Sequence, residues 1–230
     1  MTDLSNWTPP PLPPRVTLAG RYTALEPLSA AHVPGLREAH AEDPGGAMWT
    51  YLPVGPFDDA GYAAWVEANR ILHDPLHFAI RMRDGRLGGT LSLMRMQPEA
   101  GSIETGWLTF APRLQRTPEA TEAVYLLMKW SFEAGYRRFE WKCNAENLAS
   151  RRAAQRFGFS YEGVFRQAAI SKGRNRDTAW FAAIDGEWPA LQDAFETWLD
   201  PANFDAHGRQ RRRLADLTAP ILVMTDPMLE

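Results

Sequence analysis

Residues 114–163 constrain the fold of this chain most, because two helix patterns and two strand patterns alternate there with short connections. Thr117 is suited to cap the first helix, and Pro118 suits its first position, where a missing N–H costs nothing. Most of the following positions are apolar as far as Gly135, a natural helix stop, so this helix is predicted to be buried on most sides.

A half-buried strand and a short second helix follow. Phe139, Trp141 and Cys143 alternate with charged residues, which is the two-residue period of a strand with one buried face. Residues 150–156 then predict a short helix that ends at Gly158, and a further strand begins directly afterwards.

The rest of the chain predicts a mainly antiparallel sheet. Asp84 and Gly85 are a strong two-residue hairpin turn between two strands. Gly88 and Gly89 in the second of these strands predict a bulge or a close approach of two backbones. The predicted strands cover residues 21–27, 77–82, 86–96, 102–110, 164–170 and 178–184, and the other predicted helices cover residues 29–42, 58–72 and 185–199.

Charge and cysteine content exclude several classes of function. The formal net charge of −3 offers no basis for general nucleic-acid affinity, and no apolar run approaches the roughly 20 residues that span a bilayer. The N-terminus lacks a signal-peptide pattern, and the single cysteine rules out an internal disulfide and fits a reducing compartment. We therefore predict a cytoplasmic protein that binds neither nucleic acid nor membranes.

Three segments are predicted along the chain. Residues 1–14 form a proline-rich N-terminal arm, residues 15–200 form one domain, and residues 201–230 form a C-terminal extension. The extension carries a basic cluster at residues 208–213. A surface segment or a contact with a partner subunit is favoured for it over a phosphate site, because the cluster is short and lacks interleaved aromatic residues.

The sequence QRTPEA at residues 115–120 corresponds to the pyrophosphate motif Q/R-x-x-G-x-G/A, with Pro118 in place of the motif's glycine. N-x-x-S-x-R, G-F and E-G follow it at matching distances. Together these residues resemble the GNAT superfamily of N-acetyltransferases, and within it the branch of RimJ and RimL, which acetylate protein N-termini. The resemblance covers residues 15–200, which would then be the acetyltransferase domain.

The resemblance implies an α/β (α+β) fold with a mixed, mostly antiparallel, V-shaped sheet and helices on both faces. It implies transfer of an acetyl group from acetyl-CoA to a primary amine by direct attack, without a metal. The acceptor would be a protein N-terminus or a small-molecule amine, because the superfamily reuses one cofactor site for many acceptors. Members often form homodimers, so a homodimer is a further expectation.

An acyl-CoA-binding sensor or partner module with little or no catalysis stays open as an alternative function. Pro118 alters the phosphate turn, and Ala154 stands where many family enzymes have a catalytic tyrosine. Both departures leave room for a protein that binds the cofactor without transferring its acyl group.

Two segments are expected to bind acetyl-CoA. Successive backbone N–H groups at a helix N-terminus suit the pyrophosphate, and the preceding strand would bind the pantetheine arm and polarise the thioester carbonyl. Arg113 and Arg116 would raise the positive potential at the turn. By position, the pantetheine strand contains Leu108, Thr109 and Phe110, and the phosphate turn contains Gln115, Arg116, Thr117, Glu119, Ala120 and Thr121.

The resemblance places two catalytic groups in the N-x-x-S motif. Asn147 would hold the cofactor or the start of the second helix, and Ser150 would donate a hydrogen bond to the thioester sulfur. Alternatively, Asn147 is only a helix cap and Ser150 only a first-turn serine, and the two interpretations are compatible. Cys143 is a candidate covalent nucleophile, although a buried strand cysteine is the commoner case.

The general base is expected to be a carboxylate. Glu104 is the first candidate, because it lies on the strand ahead of Trp107; its alternative is a solvent-facing strand residue. Glu122 is the second, although its place in the first helical turn favours an interaction with the helix dipole. The five histidines match no metal-ligand spacing.

An aromatic loop rich in proline and glycine covers residues 48–57, where the RimJ and RimL branch forms the acceptor side of the cleft. Trp49, Tyr51 and Trp107 are the expected contacts of the acceptor. The alternative is that these aromatic residues anchor the loop to the core, and one residue can serve both roles.

Overall fold

The computed structural model describes residues 3–229. Its strands are β1 (Leu18–Ala19), β2 (Thr23–Pro27), β3 (Leu76–Met82), β4 (Leu87–Gln97), β5 (Ser102–Phe110), β6 (Arg138–Asn144), β7 (Ser160–Ser171) and β8 (Arg174–Ile184). Its α-helices are α1 (Val33–His40), α2 (Asp59–Asn69), α3 (Pro118–Glu133), α4 (Leu148–Arg156), α5 (Trp188–Leu199) and α6 (Leu214–Thr218).

The eight strands form one sheet in the order β1-β2-β3-β4-β5-β6-β8-β7. Neighbouring strands are antiparallel except β5 and β6, which run parallel. The pairing of β5 with β6 ends at Thr105 and Trp141, although both strands continue beyond this pair. The two strands separate there, so the sheet opens into a V; we call this point the fork.

Helices cover both faces of the sheet. On one face α3 buries Val124 and Leu127 with Phe139 of β6 in the main core, to which α4 and α5 also contribute. On the other face α1 and α2 bury Leu36 and Tyr62 in a second, smaller core. This arrangement confirms the predicted fold class, a mixed and mostly antiparallel sheet flanked by helices.

The predicted boundaries around the fork agree closely with the structure. β5 has the predicted bounds, and α3 begins at Pro118 after an N-cap at Thr117, whose side-chain oxygen accepts from the Ala120 N–H. The close approach predicted at Gly89 is also observed, since a Cβ there would lie 1.8 Å from the Thr109 carbonyl oxygen. Local capping and steric requirements therefore place these elements correctly.

The terminal segments pack on the domain. The Tyr136 hydroxyl donates to the Pro11 carbonyl at 3.2 Å, and the Arg137 guanidinium lies over the Trp7 ring. At the other end, α6 was not expected from the sequence, and its Leu214 is buried in the main core. Within residues 3–229, every helix is too short or too polar to span a lipid bilayer.

Candidate active site

A bulge bends β5 near the fork. The edge of β5 on the β6 side, which we call the inner edge, faces the opening of the V beyond Thr105. The register of β4 against β5 shifts between Thr90 and Ser92, so β5 contains one extra residue. Trp107 lies in this bulge at φ +53°, a left-handed conformation that is uncommon for residues with a side chain. Residues 106–110 have no pairing with β6, so their backbone groups on that side border the fork.

The expected pantetheine strand lies at this inner edge. The Thr109 hydroxyl is 2.7 Å from the Thr90 hydroxyl, so its side chain faces β4. The Phe110 carbonyl accepts a hydrogen bond from Gln115 Nε2 at 2.8 Å, which ties the end of β5 to the phosphate turn. Leu108 packs partly against the main core. A ligand in the fork would therefore meet the backbone of these three residues more than their side chains.

The turn before α3 presents fewer free backbone donors than expected. Within residues 3–229, acceptors exist for the N–H groups of Gln115, Thr117, Ala120 and Thr121. The N–H groups of Arg116 and Glu119 donate to no acceptor in the described chain, and Pro118 has no N–H. Of the six expected residues, Arg116 and Glu119 are thus the ones with main-chain donors available to a phosphate.

The positive charge beside this turn comes from Arg116 and not from Arg113. The Arg113 guanidinium is about nine-tenths buried and contacts Glu42 at 2.6 Å and Glu38 at 2.9 Å. Two carboxylates neutralise it, so the expectation that Arg113 raises the local potential is wrong. Arg116 is exposed and directly precedes the N-cap of α3, where the helix dipole also favours an anion.

The start of α4 joins the two predicted catalytic groups to the fork. Asn147 is the N-cap, and its Oδ1 accepts from the Ser150 N–H at 3.1 Å, as the capping alternative predicts. The Ser150 hydroxyl oxygen accepts from Trp141 Nε1 at 3.0 Å. Because Trp141 belongs to the last β5–β6 pair, Ser150 is held beside the fork. Its hydroxyl still carries a hydrogen to donate and lies within hydrogen-bond reach of Cys143.

Two other residues of this region do not fit a covalent or tyrosine mechanism. Burial raises the pKa of the Cys143 thiol to about 11, although a hydrogen bond with Ser150 opposes the rise. At neutral pH Cys143 is therefore a thiol rather than a nucleophilic thiolate. Ala154 is fully buried in the main core and offers no proton donor.

Glu104 lies before the fork, on the sheet face opposite the main core, within a buried cluster of charges. Its Oε2 is 3.0 Å from Lys142 Nζ and 3.3 Å from Arg95 Nη1. The same Lys142 ammonium contacts Glu140 at 2.6 Å and lies 3.7 Å from the centre of the Trp180 ring. The Glu104 and Lys142 side chains are only 5% and 6% exposed, so the alternative of a solvent-facing Glu104 is wrong.

The electrostatic surroundings of Glu104 suit proton transfer. Burial raises the pKa of Glu104, and the positive charges of Lys142 and Arg95 oppose this rise. A carboxylate whose pKa is raised by burial, beside cations that favour its ionised form, has the properties of a general base.

Glu122 is not placed to act as a base. Its carboxylate accepts hydrogen bonds of 2.6–2.8 Å from the backbone N–H groups of Arg21, Tyr22 and Thr23. These three donors occupy its oxygens and tie α3 to the start of β2, so its role is structural.

The loop at residues 48–57 is anchored by Trp49. The Trp49 ring is buried and packs edge-on against His40, Phe57 and Tyr62. This is the core-anchoring alternative, and the buried Trp49 ring leaves little surface for a substrate. The Trp49 carbonyl accepts from Lys172 Nζ at 2.9 Å, which connects the loop to the β7–β8 hairpin.

Tyr51 and Trp107 lie at less buried positions around the cleft. The Tyr51 hydroxyl donates to the Glu146 carbonyl at 3.3 Å, which connects the aromatic loop to the loop before α4. The Trp107 ring lies 6.1 Å from that of Trp65 and 5.8 Å from that of His77, between centroids. Burial lowers the pKa of His77 to about 4, so this ring is neutral at physiological pH.

The sequence interpretation missed Lys142 and Lys172. Lys142 shares the charged face of β6 with Glu140. Charged residues along one face of a strand in the middle of a sheet are the signal that could have identified it. Nothing in the sequence near Lys172 signals its contact with Trp49.

Within residues 3–229, no group of three or more histidine, cysteine, aspartate or glutamate side chains is placed to hold a metal.

The sheet forks between two parallel strands, beside a capped helix start with two free backbone amides. Residues 23–160, more than half of the chain, match the acetyltransferase (GNAT) domain family. The chain therefore belongs to the GNAT family of N-acetyltransferases, enzymes that use acetyl-CoA.

Solved structures agree with this assignment. A GCN5-related N-acetyltransferase from Brucella melitensis is 44% identical over 94% of this chain and 100% of that chain, with a TM-score of 0.91. A GNAT-family acetyltransferase from Chromobacterium violaceum ATCC 12472 is 39% identical over 83% of this chain and 96% of that chain, with a TM-score of 0.77.

The ribosomal L7/L12 α-N-protein acetyltransferase RimL shares the fold. It is 24% identical over 76% of this chain and 99% of that chain, with a TM-score of 0.64. A search of curated proteins found no significant match. The comparisons thus establish the family of this chain.

Proposed function

We propose that this GNAT enzyme transfers the acetyl group of acetyl-CoA to a primary amine, with Glu104 as general base and Ser150 as hydrogen-bond donor to the leaving sulfur. The observation that carries the proposal is the buried carboxylate of Glu104, held between Lys142 and Arg95 before the fork. A family fold supplies the cofactor site, and this carboxylate supplies the proton acceptor that amine acetylation requires.

The cofactor would lie along the inner edge of β5 with its pyrophosphate at the start of α3. The free N–H groups of Arg116 and Glu119, the dipole of α3 and the Arg116 side chain favour a bound phosphate there. The backbone at residues 108–110 would accompany the pantetheine arm, since it has no partner on the β6 side. Pro118 leaves the capped helix start intact and removes one donor.

The proton of the attacking amine would pass to Glu104. A neutral amine is the nucleophile, so an ammonium acceptor must first lose a proton before it attacks the thioester carbonyl. Lys142 and Arg95 favour the ionised form of Glu104 for this step, and burial makes the carboxylate more basic than an exposed one.

The departing sulfur would receive a hydrogen bond from Ser150. Trp141 Nε1 fixes the hydroxyl oxygen, and the Asn147 cap fixes the first turn of α4. Asn147 thereby contributes to the reaction by positioning Ser150. The hydroxyl hydrogen, which also lies within reach of Cys143, can turn towards the sulfur of the cofactor.

The acceptor is a small-molecule amine or a peptide N-terminus that enters beside the aromatic loop and the β7–β8 hairpin, which Lys172 joins through the Trp49 carbonyl. Tyr51, Trp107 and Lys172 border this side of the cleft. The fold shared with RimL supports a peptide acceptor as one of the two classes.

The single, buried, unpaired Cys143 supports a reducing compartment such as the cytoplasm.

Calorimetric titration with acetyl-CoA, desulfo-CoA and ATP tests the cofactor half of the proposal. We expect micromolar binding of acetyl-CoA and much weaker binding of ATP. Thiol release is then followed with a panel of small amines and peptides, with products identified by mass spectrometry. Amine-dependent thiol release supports the proposal.

Binding without thiol release on any amine would favour the alternative, an acyl-CoA-binding module. Ser150→Ala is the variant for the sulfur-donor role, and Ser131→Ala is its matched control because Ser131 lies inside α3 and donates to the Leu127 carbonyl. We expect a lower kcat only for Ser150→Ala. Equal kcat values for both variants would remove Ser150 from the mechanism.

A further inference from the structure

The segment at residues 222–229 contacts the start of β7 and the helix α4. The Met224 carbonyl accepts from the Tyr161 N–H at 3.1 Å, at the start of β7. The Asp226 N–H donates to Gln155 Oε1 of α4 at 2.8 Å. This part of the C-terminal extension is therefore bound to the strand and the helix that flank the α4 region.

A buried ion pair connects this segment to the first turn of α4. Arg151 Nε and Nη2 each donate to one oxygen of Asp226 at 2.6 Å, which is the two-pronged geometry of a strong charge-assisted pair. The two side chains are 3% and 0% exposed. Removing one partner would leave the other as an uncompensated buried charge.

The same guanidinium holds the loop between β6 and α4. Arg151 Nη1 donates to the Ala145 carbonyl at 2.7 Å, and the Ala145 N–H donates to the Asp177 carbonyl of β8 at 2.9 Å. This loop leads directly into Asn147, the cap that accepts from the Ser150 N–H. Asp226 is thus linked through Arg151 to the residues that position Ser150.

We propose that Asp226 is a positioning residue, which acts through Arg151 and residues 145–147 to hold Ser150 beside Trp141 at the fork. The inference rests on the proposed role of Ser150. A buried ion pair by itself is weak evidence for stability, because apolar residues of similar volume often stabilise a fold equally well. The directional hydrogen bonds of the Arg151–Asp226 pair, by contrast, define one orientation of the loop at residues 145–147. An apolar pair would not define it.

Asp226→Asn tests the inference because it removes the charge and keeps the shape. We expect kcat to fall roughly 10- to 100-fold, since a displacement of about 1 Å of a positioned group has effects of that size. We expect KM for acetyl-CoA to stay within about twofold, because the phosphate turn is not involved. Asp216→Asn is the matched control: its partner Arg213 is exposed, it lies in the same extension, and its kcat should be that of wild type.

The double variant Arg151→Met/Asp226→Leu distinguishes an effect on the position of Ser150 from an effect on the stability of the fold. Apolar replacement should leave the unfolding temperature near that of wild type or above it. We nevertheless expect the same fall in kcat, because the bond to Ala145 is lost. A stable double variant with wild-type kcat would overturn the inference.

The decisive comparison repeats Asp226→Asn in the Ser150→Ala background. If Asp226 acts through Ser150, the substitution should lower kcat by less than about twofold there, because coupled residues are not additive. The same fold-change in both backgrounds would show a merely structural role and overturn the inference. Wild-type activity of Ser150→Ala alone is a different outcome: it would contradict the proposed function of Ser150 itself and with it this inference.

Discussion

Lys142 Nζ lies 3.0 Å from Glu104 Oε2, and both side chains are almost fully buried before the fork of the sheet. Buried charges persist only when they are paired and hydrogen-bonded. The pair is completed by Glu140, by Arg95 and by the face of the Trp180 ring. A base buried in this way responds strongly to the loss of its counter-ion.

Lys142→Met should move the acidic limb of the pH profile of kcat/KM to higher pH. The pKa of Glu104 is already raised by burial, and Lys142 is the largest influence that opposes the rise. Without Lys142 the carboxyl binds its proton up to a higher pH, so the base form and the activity appear later as pH increases. Lys142→Arg, which keeps the charge, should return the limb towards its wild-type position.

The control for this substitution is Lys129→Met on α3, where Lys129 faces Glu133 at 3.7 Å and the two side chains are 37% and 55% exposed. Its profile should coincide with that of wild type. An unchanged acidic limb in Lys142→Met, with activity retained, would show that Glu104 is not the group that titrates.

Arg116→Ala should weaken acetyl-CoA binding about fivefold, the upper range for one exposed charge contact, and the difference should shrink at high salt. Arg116 is exposed beside the N-cap of α3, whereas Arg113 is neutralised by two carboxylates. Calorimetry at two salt concentrations measures both effects. Arg174→Ala, an exposed arginine in the β7–β8 hairpin, is the control, and an equal loss in that variant would argue against a phosphate site at Arg116.

Gly55→Ala should raise KM for the acceptor while leaving acetyl-CoA affinity unchanged. Gly55 has φ +71°, and a Cβ there would lie 2.5 Å from the Trp49 ring that anchors the aromatic loop. The strained backbone costs about 1–3 kcal/mol, so the loop should shift or loosen. Gly45→Ala is the control because a Cβ there meets nothing within 4 Å. A wild-type KM for the acceptor in Gly55→Ala would show that this loop does not contribute to acceptor binding.

Cys143 should be dispensable for catalysis. Burial raises the pKa of its thiol to about 11, so alkylation of the native protein should be slow at neutral pH and should accelerate only as the pH approaches that value. Cys143→Ala should keep wild-type kcat. Complete loss of activity in a folded Cys143→Ala variant, or an acetylated Cys143 trapped by mass spectrometry, would instead support a covalent route.

Three predictions that depended on neighbouring residues in the sequence were accurate, whereas the predicted bounds of α1, α2, β7 and β8 differ from the observed ones by up to four residues. The Thr117 cap of α3, the bounds of β5 and the close approach at Gly89 follow from capping chemistry, period and steric space. Ile103, the neighbour of Glu104 in β5, lies in the main core, so strand alternation places Glu104 on the opposite face of the sheet.

Contacts between distant segments could not be predicted. Glu104 meets Lys142 only because β5 and β6 run parallel in one particular register, and Arg113 meets Glu38 and Glu42 from α1 and the residues just after it. The pairing of Arg151 with Asp226 spans 75 positions in the sequence. Such pairs are determined by tertiary packing, which a pattern along the chain does not contain.

The most direct test of the central claim is the rate of amine-dependent thiol release from acetyl-CoA, measured for wild type, Glu104→Gln and the surface control Glu133→Gln. We predict amine-dependent release by wild type and by Glu133→Gln, and a rate about 10²- to 10⁴-fold lower for Glu104→Gln with acetyl-CoA affinity unchanged. A Glu104→Gln enzyme as fast as wild type would contradict the assignment of Glu104 as general base.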